Sequence, residues 1–223
     1  MQYPSLIMRL TPEFILTDPA RFITFEGING CGKTTLQKSI SHELTKAGHS
    51  VVDTREPGGS ELGKEIRKLV LEWPHEKISA RAELLLFAAD RAEHVEKVIS
   101  PALARGAWVL SDRYLFSTVA FQGYGRGIER TWIDQANHLA VQGTLPSLVV
   151  LLDLPVHVAA ERIGKRADTT RDSFEDEALE FQQRIRDGFL ECAETSPVPF
   201  LVLDATKSPA QLAAETLSVL LRS

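Results

Sequence analysis

The chain is poor in cysteine, has no excess of basic residues, and contains no long apolar run. Two cysteines in 223 residues, Cys31 and Cys192, cannot build a disulfide framework and point to a reducing cytosol. With 25 Lys and Arg against 30 Asp and Glu, the net charge is −5. General nucleic-acid binding, which calls for a basic excess, is therefore not expected. No apolar stretch approaches the length of a membrane span, so no membrane association is expected either. Residues 1–20 hold apolar patches, but Pro4, Arg9, Pro12, Glu13, Asp18 and Pro19 break them up. A basic start followed by an unbroken apolar segment is missing, which argues against a secretory signal. The segment reads as an extension ahead of the first strand, with Met1 and Met8 both open as the start. Repeats and low-complexity linkers are absent too. At this length the remainder, 21–223, suits one well-cored domain.

What the chain does have is Gly27-Ile28-Asn29-Gly30-Cys31-Gly32-Lys33-Thr34, a fit to G-x-x-x-x-G-K-[ST], the phosphate-binding P-loop. Glycines let successive backbone N–H groups turn toward one anion. Lys33 supplies a mobile positive charge for β- and γ-phosphates, and the Thr34 hydroxyl can ligate the Mg²⁺ that travels with them. The setting agrees. The β-rich Phe22-Ile23-Thr24-Phe25 precedes the loop; Leu36, Ile40 and Leu44 recur at helical spacing after it; and Gly48 offers a stop. Cys31 reads as a small residue at an unrestricted loop position, near enough to bound phosphate to meet thiol reagents.

Short β-rich runs at 22–26, 51–54, 107–111, 148–153 and 200–204 alternate with helical patterns near 33–47, 60–72, 80–104, 129–142, 155–165, 174–195 and 208–222. Leu148-Val149-Val150-Leu151-Leu152 is apolar at every position, as expected of a strand covered on both faces. The expected fold is therefore α/β: a doubly wound, five-stranded parallel sheet of the P-loop NTPase class, flanked by helices, with ligands at the carboxyl ends of the strands. The candidate chemistry falls there, with Gly27 after the first run, Arg55 after the second and Asp112-Arg113 after the third. Asp112 is a candidate Mg²⁺ partner, and an extended backbone would send Arg113 to the opposite side.

On the helix over 80–97, Leu84, Phe87, Arg91 and His94 or Val95 share one side. Spacing leaves two readings open: a pocket where a ring stacks on a base and a guanidinium bonds its edge, or core Phe87 with Arg91 reaching the surface. Arg162, Lys165, Arg166 and Arg171 crowd one short polar segment. It reads either as a solvated charged loop or as a closing lid whose cations reach a transferring phosphoryl group.

Together these segments resemble bacterial thymidylate kinase over nearly all of 21–223. The resemblance rests on Phe25-Glu26-Gly27 leading into Gly32-Lys33-Thr34-Thr35; on Arg55-Glu56-Pro57-Gly58-Gly59; and on Leu86-Phe87-Ala88-Ala89-Asp90-Arg91. It continues through Asp112-Arg113-Tyr114 with Ser117-Thr118 and Gln122-Gly123-Tyr124-Gly125-Arg126-Gly127, and ends with Arg171-Asp172 and Phe174-Glu175. It implies transfer of the ATP γ-phosphoryl group to dTMP, with residues 27–35, Thr35 included, on ATP. Phe87 would stack on thymine, Arg91 would bond the base edge, and Arg55 and Arg113 would hold the acceptor phosphate. Glu56, Pro57, Ser117, Thr118, Phe121 and Gln122 would complete the dTMP pocket. Segment 162–175 would be the lid, bringing Arg166 and Arg171 to the ATP phosphates. Asp204-Ala205-Thr206 would pass near adenine, Glu56-Pro57 would be cis, and a homodimer is expected. Three positions depart from the family pattern. Asn29 and Ser173 replace an acid and an arginine found in many relatives, and Phe121 stands where relatives often have Tyr. These departures bear on sugar choice and fine substrate preference. The rival readings are a deoxynucleoside kinase, which needs a carboxylate base such as Glu56; a P-loop ATPase or switch, which needs no second set of arginines; and a non-catalytic binder.

Overall fold

The computed structural model describes residues 21–73, 76–165, 174 and 178–221. Five parallel strands form its centre: β1 (Phe22–Glu26), β2 (Val51–Arg55), β3 (Trp108–Asp112), β4 (Leu148–Asp153) and β5 (Phe200–Asp204), in the order β2-β3-β1-β4-β5. Their register puts Phe25 beside Asp112, and Asp112 beside Arg55. The residues that follow, Glu26-Gly27, Arg113 and Glu56, therefore emerge together along one edge of the sheet. This alignment, which no local pattern encodes, builds the cleft.

The apolar run of β4 is covered on both faces, with Leu148 to Leu152 each at most 1% exposed. Burying such a side chain is worth about 1.5–3 kcal/mol, so the strand holds the middle of the sheet firmly. The edge strand β2 is only half-covered and ends on the exposed Arg55, which frees that side chain for the cleft.

Helices α1 (Lys33–Lys46), α2 (Glu61–Glu72), α6 (Arg130–Val141), α7 (Val156–Gly164) and α9 (Pro209–Leu220) fall where the sequence predicts them. The predicted helix 80–104 is α3 (Ala80–His94) continuing through a π-helical turn, Val95–Ile99, into α4 (Ser100–Ala104). One helical segment was not anticipated: α5 (Leu115–Thr118) runs into a π-helical stretch, Val119–Gly125. Gly123 and Gly125 hide it from a propensity reading. The structure requires Gly125, because a Cβ there would come within 2.9 Å of the Phe181 ring on α8 (Leu179–Thr195). The predicted 174–195 helix is seen as α8, which begins only at Leu179, with Phe174 in a turn ahead of it. The 1–20 extension and most of the proposed lid, including Arg166, Arg171 and Ser173, lie outside the described residues.

Candidate active site

The P-loop leaves central strand β1 and enters α1. Gly27, Gly30 and Gly32 have φ of 136°, 80° and 103°, conformations that an L side chain resists. Gly27 is also closely packed: a Cβ would meet Leu152 O at 2.6 Å and Cys31 Sγ at 2.9 Å. Gly32 caps α1 and has no side chain to satisfy the first-turn amides, so those N–H groups are left to face an anion. Lys33 curls over the loop, donating to Gly27 O (3.3 Å) and Ile28 O (3.1 Å). Asn29, Gly30, Gly32, Lys33, Thr34 and Thr35 line a cleft of about 900 Å³. Ile28 and Cys31 instead face the core, at 2% and 1% exposure. The Cys31 thiol is thus a packing group, and the expected access of thiol reagents is not supported.

At the end of β3, Asp112 Oδ2 accepts a 2.7 Å hydrogen bond from Thr34 Oγ1. A hydroxyl and a carboxylate side by side on the cleft wall are the hard oxygen donors that Mg²⁺ takes alongside nucleotide phosphates. Among the described residues no cluster of three or more His, Cys, Asp or Glu side chains could hold a metal alone, which is the usual case for this ion.

Arg113 does not continue the extended strand, as the sequence reading expected. Its φ is +72°, and the side chain folds back over the P-loop. Nη1 donates to Gly27 O (2.9 Å) and Ser117 Oγ (3.1 Å), and Nη2 to Asn29 Oδ1 (2.5 Å). The guanidinium lies 4.8 Å from the Phe121 ring centroid, within cation–π range. Beneath it sits Glu26, fully buried, accepting from Tyr114 N (2.9 Å) and Ser117 Oγ (2.6 Å). Burial pushes the Glu26 carboxyl up to about 7, against the opposing pull of the Ser117 hydrogen bond and the Arg113 charge.

The Arg55-Glu56-Pro57-Gly58-Gly59 loop is clamped from behind by α3. Glu56, 4% exposed, accepts from Arg91 Nε (2.8 Å) and pairs with His94 Nδ1 (2.9 Å). Asp90 Oδ1 accepts from Gly58 N (3.0 Å), and burial next to the Glu56 charge raises the Asp90 carboxyl to about 7. A Cβ on Gly59 would sit 2.4 Å from the His94 ring, so this glycine lets the loop press against the helix. The peptide Glu56-Pro57 is cis, as the resemblance implied.

Arg91 resolves the choice left open by spacing in an unexpected way. It is 2% exposed, and bonds Glu56, Thr118 Oγ1 (2.8 Å), Asn137 Oδ1 (2.8 Å) and Tyr114 O (3.1 Å). Four of its five N–H groups thus tie the Arg55–Gly59 loop, α3, α5 and α6 together at the cleft wall. Phe87 borders the cleft with Ser117, Thr118, Phe121, Gln122 and Phe174. Phe174 packs against Phe87 and Phe121, with centroids 6.2 and 5.4 Å apart.

All ten dTMP-pocket residues named from the resemblance therefore line one cleft with the P-loop: Arg55, Glu56, Pro57, Phe87, Arg91, Arg113, Ser117, Thr118, Phe121 and Gln122. Arg162 lies apart from it, donating to Ala205 O (3.0 Å) in the stretch likened to an adenine site. The sequence reading gave no role to Glu26, Glu83, Asp90, His94 or Asn137. Their signal was polarity at positions that the helical and strand periodicity assigns to the core.

A parallel sheet with a P-loop on its central strand, and further arginines lining the same cleft, defines a P-loop phosphotransferase of the nucleotide-kinase class. Within that class the chain belongs to the thymidylate kinase family, whose model matches residues 25–216. It is 46% identical over 197 residues to the thymidylate kinase of Trichlorobacter lovleyi, covering 86% of this chain and 93% of that one. With the thymidylate kinase of a Synechococcus strain the identity is 48% over 198 residues, covering 89% and 93%. The crystal structure of thymidylate kinase from Ehrlichia chaffeensis is similar in fold, with a TM-score of 0.74 and 33% identity over 91% of this chain and 99% of that one. Among the described residues, no helix is long and apolar enough to cross a membrane.

Proposed function

We propose that this protein is a dTMP kinase, moving the γ-phosphoryl group of ATP onto the dTMP phosphate to give dTDP for dTTP synthesis. The observation that carries the reading is the gathering of cations in one cleft: Lys33 of the P-loop, Arg113 folded over that loop, and Arg55 at the end of β2. Family membership supplies the identity of the substrates.

The acceptor oxygen is already anionic at neutral pH, so no strong base is needed. The difficulty is to bring two polyanions together in line, which Lys33 and Arg113 relieve by position and charge, and to which Arg166 and Arg171, of the segment likened to a lid, would add charge. Thr34 and Asp112 would hold Mg²⁺, which neutralises charge on the β- and γ-phosphates when bound. Phe87 would stack on the thymine, and the one N–H of Arg91 left over from its internal bonds would serve the base edge.

The nucleoside-kinase rival fits poorly. Its base would be Glu56, yet both oxygens of that carboxylate are engaged, by Arg91 and His94. ADP formation with Mg²⁺ and ATP, measured with dTMP, dUMP, ribothymidine monophosphate, thymidine or no acceptor, tests the reading. Turnover that depends on dTMP is expected. Turnover with thymidine, or with no acceptor, overturns it.

We assign a homodimer and a cytoplasmic location on the same basis. Helix α3 packs between α2 and α6, and this face exposes Leu62 and Leu69, Leu85, and Trp132 and Leu139. Such an apolar surface suits a second copy of the chain. Light scattering should give about twice 24.7 kDa, and Leu85→Asp should return the monomer. Cys31 and Cys192 are both free thiols, consistent with a reducing compartment.

A further inference from the structure

Gln122 lines the cleft beside Phe87 and Thr118, and what its amide can offer a ligand is decided behind it. Its Nε2 donates to Glu83 Oε1 at 3.0 Å. Glu83 lies in the first turn of α3, 4% exposed. The same carboxylate is paired with Arg126, through Nε to Oε1 (3.2 Å) and Nη2 to Oε2 (3.3 Å). Arg126 in turn is flanked by two rings, 4.7 Å from the Phe181 centroid and 5.1 Å from that of Phe174.

An ion-paired carboxylate is an acceptor only. The Gln122 branch facing Glu83 must therefore be the NH₂, and the carbonyl Oε1 takes the other branch. The amide cannot flip without setting two acceptors against each other in a buried site, where neither can be satisfied by water. A planar ring stacked on Phe87 thus meets a fixed acceptor. Thymine and uracil carry N3–H, a donor; cytosine presents a bare N3, a second acceptor.

From this we infer that Glu83 is a positioning residue for base selectivity: by fixing the Gln122 amide it makes the cleft choose a pyrimidine bearing N3–H over cytosine. The inference rests on the kinase reading only for the identity of the ligand.

Calorimetric titration of the full chain with dTMP and with dCMP tests it, on wild type, Glu83→Gln, Glu83→Asp, Gln122→Ala and the double variant Glu83→Gln/Gln122→Ala. Wild type should prefer dTMP by roughly 100-fold or more, since a polar site rejects a mismatched partner strongly. Glu83→Gln lets both amides flip together, and the preference should fall about tenfold or more. In the Gln122→Ala background the Glu83 change should leave the ratio unmoved. Glu83→Asp keeps an acceptor-only group and should retain most of the preference, so the test stays decisive even where Glu83→Gln does not fold. Equal weakening of both nucleotides by Glu83→Gln, or loss of the preference in Glu83→Asp, overturns the inference, as does a wild type that binds the two alike. Selective binding by wild type without ADP formation from ATP and dTMP would overturn the kinase reading alone.

Discussion

The two ends of the cleft are built in different ways. The P-loop end is one contiguous segment, Gly27 to Thr35, which presents backbone amides freed by glycine geometry and one lysine. The opposite end draws Arg55, Phe87, Arg113 and Gln122 from separate segments of the chain. There buried carboxylates lie behind several of the polar groups: Glu26 under Arg113 and Ser117, Glu56 under Arg91, Glu83 under Gln122. A local loop can lose a contact without upsetting the fold. An end assembled on buried charge cannot, because removing one partner strands the other in a poorly solvating interior. Stability and substrate binding should therefore separate at the P-loop and coincide at the acceptor end.

The sharpest way to break that contrast is Arg91→Ala. It leaves Glu56 buried without its guanidinium, so urea unfolding should show a loss of about 3–5 kcal/mol, with dTMP binding falling in parallel. An unchanged midpoint would show that the hub is dispensable. Lys33→Ala is the counterpart: a drop in kcat of about 10²–10³ with the unfolding midpoint nearly retained. Near-normal turnover would remove Lys33 from the phosphoryl-transfer machinery.

Glu26 separates the two ends by pH. Its carboxyl is raised in the fold from 4.5 to about 7. Between these values the folded state holds a proton that the unfolded chain has released, so its contribution is full below 4.5 and is lost as pH rises through 7. Glu26→Gln lacks this loss. From pH 4.5 to 8 the difference in unfolding free energy should move in the variant's favour by about 3 kcal/mol; a pH-independent difference would contradict the burial argument. The smallest effect is expected at Asn29, which holds the Arg113 guanidinium. Asn29→Ala should raise the KM for dTMP by roughly tenfold, the worth of one hydrogen bond to a charged group, with kcat changing less. A fall in kcat alone would place Asn29 with the donor phosphates instead.

Much of this was legible beforehand because it is local. Glycine spacing marked the P-loop, apolar runs marked the strands, and the alternation marked the parallel sheet. The residues that line the cleft could also be named, since their segments carry a family pattern. The helical segment 115–125 was hidden, as Gly123 and Gly125 discourage a helix and Gly125 is there to admit the Phe181 ring. The turn of Arg113 to φ +72° was hidden as well, for nothing adjacent in sequence calls for it; Glu26, on another strand, accepts from the amide of the next residue.

The sequence by itself therefore determined the fold class, the phosphate loop and the set of residues available for chemistry, through periodicity and backbone freedom, which act over a few positions. Only the tertiary structure decided what those residues do to one another. It made Arg91 a buried tie across four segments, engaged both oxygens of Glu56, and turned the Gln122 amide. Each of these depends on a charge or hydrogen-bond partner tens of residues away, brought close by the register of the sheet and the packing of α3 against α5 and α6.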